Sequence, residues 1–131
     1  NKIKATKLEK RNTLIKKVTD LSLARKRQII MIILNENTDN KDEDYLTVRF
    51  EDIFNKKELS LELQMLLKQN TEEVTLSADI KSAIQKNVLK RTKQGIFYFE
   101  TNLGFSEDEV RKTLMDSDNQ EVLLNIKSKI Q

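Results

Sequence analysis

Lys86, Lys90 and Lys93 recur at helical spacing, so on a continuous helix their ammonium groups share one face. Ile80, Ile84 and Val88 form a stripe on the opposite side that would pin that helix to a core. A row of cations facing water suits one kind of chemistry: it neutralises phosphates and releases their condensed counterions. Lys81 and Arg91 lie on the same stretch, and Arg25, Lys26 and Arg27 form a second basic group upstream. These eight residues are the expected nucleic-acid-binding set. Lysine is a point charge without arginine's planar fork, so little discrimination between bases is expected of them.

Other chemistry is poorly provided for. The chain has no His, Cys, Trp or Pro. Without His and Cys there is no ordinary zinc, haem or iron–sulfur site, and the commonest general base and nucleophile–base pairs are missing. The two glycines, Gly95 and Gly104, are isolated, so no phosphate-cradling loop forms. The acidic stretch with Asp39, Asp42, Glu43 and Asp44 lacks the glycine and the closing glutamate of a calcium loop. No enzymatic activity, no metal and no cofactor are therefore expected. The absence of Cys favours a cytoplasmic location, although a chain of this size needs no disulfides even when secreted. The longest apolar run, Ile29 to Leu34, is far too short to span a membrane.

Charge is segregated along the chain. Residues 1–34 hold ten basic and two acidic residues, and 35–73 hold five and eleven. Residues 74–98 hold five and one, and 99–131 hold four and seven. A net charge of +3 thus hides two basic and two acidic blocks. The first block, Lys2 to Arg27, is either a phosphate-binding surface or a solvated face in a lysine-rich proteome. A third reading docks it on the acidic stretch 35–73, of this chain or of a second copy. Lysine outnumbers arginine 18 to 6, and Ile and Asn are frequent, which hints at an AT-rich genome.

The elements that would position these residues follow from periodicity. Residues 3–21 read as a basic N-terminal helix with Ile3, Leu14, Val18 and Leu21 near one face. Asp20 or Ser22 can cap a second helix, Leu23 to about Asn35, although the short apolar run at 29–34 also admits a strand. Residues 35–44 read as an exposed loop. Tyr45–Phe50 alternates apolar and polar residues and reads as a half-buried strand. The stretch 58–67 fits strand or helix, and its Leu, Glu, Gln and Met favour helix. Ser77 can cap a helix over 78–92, with Gly95 as its stop. Ile96–Thr101 reads as a strand, and Ile96–Phe99 as a core strand in preference to a base-stacking platform, which needs exposed aromatics beside basic residues. Ser106 with Glu109, and Asp118 with Glu121, are capping boxes that open the C-terminal helices.

This order of elements resembles a winged helix-turn-helix domain over residues 22–101. A helix precedes a short strand, and the segment LSADIKSAIQKNVLKRTKQGIFYFE looks like a recognition helix running into a wing. The stretch 58–76 is longer than that family's usual tight turn, and Glu100, Thr101 and Asn102 leave the wing without a basic tip. The resemblance implies a DNA-binding or regulatory role. The whole chain, 1–131, is expected to be one predominantly α-helical α+β domain, with a winged-helix-like core flanked by N-terminal and C-terminal (106–131) helices. The expected partner is double-stranded DNA. The alternative is a helical protein–protein interaction module, binding another protein or a second copy of itself through its charge blocks.

Overall fold

A computed structural model describes the backbone from Lys2 to Gln131 and the side chains from Lys10 onward. Ile3, placed above on the N-terminal helix, and Lys2, at the start of the first basic block, lie outside the described side chains. Among the described residues the chain is predominantly helical, with seven α-helices and one small antiparallel sheet.

Helix α1 (Lys2–Thr19) buries Leu14 and Val18. The Ser22 hydroxyl accepts from the Arg25 N–H and caps α2 (Leu23–Leu34), as its sequence position implied. Ile29, Ile30 and Met31 are buried on α2, so the apolar run is helical, not a strand.

The expected strand at 45–50 is a correction: it lies inside helix α3 (Glu43–Phe54). Leu46, Phe50 and Ile53 stand one turn apart and are buried, whereas Val48, which alternation had placed beside Leu46, is 60% exposed. The acidic loop explains the choice. Asp42 accepts from the Tyr45 N–H, and Glu43 and Asp44 fill the first turn, where carboxylates favour a helix N-terminus. Helix α4 (Lys57–Leu67) follows, burying Leu63 and Leu66.

Helix α5 (Thr71–Gln85) starts earlier and stops earlier than its sequence suggested. Its cap is Asn70, which accepts from the Glu73 N–H, and Ser77 lies inside it. Two cores meet along it. Val74 joins Leu14, Ile29, Leu46, Phe50 and Leu63 in the first. Leu76, Ile80 and Ala83 join Leu89, Ile96, Leu103, Val110, Leu114 and Ile126 in the second. The second core lies against strands β1 (Lys90–Thr92), β2 (Gly95–Tyr98) and β3 (Thr101–Gly104), in the order β1-β2-β3, and helices α6 (Glu107–Met115) and α7 (Gln120–Ile130). Ser106 caps α6 through the Glu109 N–H, and the Glu109 carboxylate accepts from Phe105 N–H at 2.7 Å. The second expected box is replaced: Asp116 caps a 3-10 turn over Ser117–Asn119, and α7 begins without a side-chain cap. No helix of the described residues is long and apolar enough to cross a membrane.

Candidate nucleic-acid interface

The sheet exists because α5 cannot continue. Asn87 adopts a left-handed conformation, φ 61°. The Asn87 N–H donates to Ile84 O and the Val88 N–H to Ala83 O, the pair of bonds that ends a helix in a Schellman motif. Asparagine is among the few residues that tolerate that slot. Leu89 then turns into the second core, 1% exposed, and sets the chain out as β1.

The recognition-helix reading fails at this point. Lys86 is the C-cap of α5, Lys90 and Arg91 belong to β1, and Lys93 sits in the two-residue turn before Gly95. They share no helix face. Helix α5 packs on α2, α6 and α7, which leaves it no free side for a groove. Gly95 is not a helix stop. It opens β2 at φ 141°, where a Cβ would lie 2.7 Å from Asn102 Oδ1 and 2.9 Å from the Gly104 carbonyl oxygen. Thr92 and Asn102 lock the turn: the Gln94 N–H donates to Thr92 Oγ1, and Asn102 Nδ2 donates to the Gln94 carbonyl.

The eight expected residues divide sharply. Lys26 is 8% exposed and pairs with Glu43 at 2.9 Å. Arg25 donates to the Gln69 carbonyl, and Arg27 Nε to the Lys41 carbonyl at 2.9 Å. These contacts hold residues 25–27, within the first basic block, against the stretch 35–73 of the same chain, one through a carboxylate and two through backbone carbonyls. Lys81 and Arg91 share Glu107, at 3.0 and 2.9 Å. Lys86 donates to the Ile130 carbonyl and lies 3.5 Å from Asp39. Lys90 and Lys93 are exposed, and among the described residues no hydrogen bond or ion pair engages the ammonium group of either.

At the Lys90 end of the hairpin stand aromatic side chains. The β1–β2 register places Lys90 opposite Phe97, and Phe97 pairs in turn with Asn102 on β3. Phe99 opens the turn between β2 and β3 and is 75% exposed. The Lys129 ammonium of α7 lies 4.1 Å from the Phe99 ring centre and 5.0 Å from that of Tyr98. The expectation of a core strand holds for Ile96, fully buried, and in part for Tyr98, but not for Phe99. Sequence reasoning set a stacking use of Phe99 aside in favour of a core strand, and it missed Lys129. Length gave no signal, because six residues is an ordinary strand; the turn after Tyr98 shows only in the register, where Tyr98 pairs with Thr101.

A cleft of about 340 Å³ also opens between α4, α5 and α6, lined by Glu62, Gln69, Ser77, Lys81, Glu107 and Arg111 among others. Its cations are spent internally. Lys81 pairs with Glu107, while Arg111 donates to Ser77 Oγ at 3.3 Å and to Gln69 Oε1 at 3.5 Å. No protein-family model matches the chain, and no curated protein or solved structure matches it either.

Proposed function

We propose that the chain is a nucleic-acid-binding domain that contacts phosphates through its β-sheet and turns. Lys90 and Lys93 are the principal cations. The observation that carries this reading is their freedom: both are exposed and unpartnered among the described residues, while Arg25, Lys26, Arg27, Lys81, Lys86 and Arg91 are engaged within the chain. Phosphate contact by an engaged cation costs an intramolecular partner; contact by Lys90 or Lys93 costs none. Lys10, Lys16, Lys17, Lys56, Lys57, Lys68 and Lys112 are exposed too, but they are scattered over α1, α4, α6 and the flanks of α4, whereas Lys90 and Lys93 share one hairpin. Lys16 and Lys17 moreover stand in the last turn of α1, where they complement the helix dipole. The winged-helix likeness is retained in reduced form. What supports it is a helix, α5, leading into an antiparallel hairpin, with the hairpin rather than the helix as the contacting element. No reaction is assigned to the chain.

The test is fluorescence anisotropy with a labelled duplex at low and physiological salt. The wild type is expected to bind with a steep salt dependence. Lys90→Glu/Lys93→Glu weakens binding, and the control Lys16→Glu/Lys17→Glu does not. No binding by the wild type at low salt overturns the reading.

A protein-interaction role has its own supporting observation. Leu61 and Met65, one turn apart on α4, are 51% and 68% exposed, and Met65 borders the interhelical cleft. A defined oligomer abolished by Leu61→Glu/Met65→Glu, with no nucleic-acid binding, would favour it.

A further inference from the structure

Phe99 is held where stability alone would not put it. Its φ is 53°, the left-handed region that disfavours a bulky side chain. It is the first residue of a two-residue hairpin turn, and its follower Glu100 is not in that region, the sign pattern of a type II′ turn. Glycine is the usual occupant of that position. The side chain does not compensate by packing into either core, because three-quarters of it faces water. Its ring meets Tyr98 edge-on at 4.7 Å, and the Lys129 ammonium lies over it. Tyr98 packs on the second core and Lys129 is carried by α7, so the exposed ring is held from two sides on an ordered support. Backbone positions that a protein maintains against local preference concentrate at binding sites.

The chemistry that recognises such a ring is a flat, unpaired base. Every base has a π-face, whereas in a duplex those faces are already stacked on one another. Lys90 lies at the same end of the sheet, since Phe97, its cross-strand partner, is two residues before Phe99. Lys129 adds a second cation beside the ring. An exposed ring with one cation over it and another at the same end of the sheet suits a base with its flanking phosphates. Glu100, next in the turn, is the one carboxylate there and opposes close approach of the backbone on its own side.

We infer that Phe99 is a base-stacking residue and that the sheet prefers single-stranded nucleic acid over duplex. This rests on the phosphate-contact reading above. The experiment compares labelled single strands of DNA and of RNA, about 20 nucleotides long so as to exceed one binding site, with a duplex of the same length. Wild type, Phe99→Gly, Phe99→Trp and Lys90→Glu/Lys93→Glu are titrated, and the melting temperature of each is measured. Wild type is expected to bind a single strand more tightly than duplex. Phe99→Gly is expected to lose about tenfold on the single strand and little on duplex, with its melting temperature kept or raised. Phe99→Trp keeps single-strand binding. If Phe99→Gly binds the single strand as tightly as wild type, or loses equally on duplex, stacking is wrong even where the lysine variant shows phosphate contact. A fall in melting temperature on Phe99→Gly would show Phe99 to be structural. If wild type binds no strand of either kind, the phosphate-contact reading fails and the stacking inference with it.

Discussion

Arg25, Lys26 and Arg27 are three consecutive cations, and Lys90, Arg91 and Lys93 are three within four residues. In the sequence they look alike. In the fold, the α2 group is turned onto the acidic stretch of its own chain, through Glu43 and the carbonyls of Lys41 and Gln69. In the hairpin group, among the described residues, only the Arg91 side chain finds an intramolecular partner. The difference lies in what faces each element. Helix α2 packs against α3, α4 and α5, so its long side chains must run over neighbours that supply acceptors. Strand β1 is the edge of a three-stranded sheet, so Lys90 has a partner strand on one side and water on the other. A cation's availability is set by the acceptors within its reach, not by the local density of charge: Arg91, on the same edge strand as Lys90, reaches Glu107 and is engaged. Edge lysines also guard a sheet against pairing with another chain, which gives Lys90 a structural use compatible with the functional one.

The widest separation between the two groups is expected in binding. Reversing Lys90 and Lys93 together removes two phosphate contacts. At about 0.1 M salt that is about a hundredfold loss of duplex affinity, read by anisotropy, with the melting temperature unchanged. Reversing Arg25 and Arg27 should show the opposite profile, a lower melting temperature and little direct effect on affinity. A hundredfold loss of affinity from the α2 pair at intact stability would invert the comparison.

A second test acts on the hairpin's scaffold. Gly95→Ala puts a Cβ against the Gly104 carbonyl oxygen and Asn102 at φ 141°. The expected cost is about 1–3 kcal/mol in chemical denaturation, with binding lost as the turn distorts. A third acts on the α2 contacts. Lys26→Ala removes a buried stem and an ion pair to a half-exposed Glu43, for about 1 kcal/mol. Lys26→Met, which keeps the stem, should recover most of that and leave binding untouched.

The smallest effect concerns Asp79 on α5. Burial pushes its carboxyl above the ordinary aspartate range, against the opposing influence of Lys127. Between the ordinary and the raised value the folded chain binds more protons than the unfolded one, so stability falls as pH rises through that window. Asp79→Asn removes this loss. The variant should melt slightly above wild type near neutral pH, and the difference should vanish below about pH 4. A constant difference at all pH values would mean that the carboxyl's charge is not the cause.

Much of the fold was legible where a residue had one local use. Ser22 caps α2, and Ser106 with Glu109 opens α6, because those side chains satisfy N–H groups within a few residues. The strand misread at 45–50 arose because Leu46 and Phe50 satisfy a period of two and a helical period at once. The acidic cap at Asp42 settles it, but the same residues also read as a solvated loop. The recognition helix was misread because Ile80, Ile84 and Val88 keep helical spacing through the point where Asn87 leaves it. A single left-handed asparagine outweighs that periodicity, and nothing in composition marks it. The candidate site was therefore half legible. The basic residue types at 90–93 were visible, whereas their separation from the helix and their pairing with Phe97 depend on the sheet register.

The most direct test of the central claim is a backbone amide chemical-shift titration of the ¹⁵N-labelled chain with a short oligonucleotide at low salt. Shifts should concentrate over residues 89–102 and around Lys129, and leave the amides of 25–27 in place. Shifts confined to α1 or to the Leu61–Met65 face of α4, or no shifts at all, would contradict it.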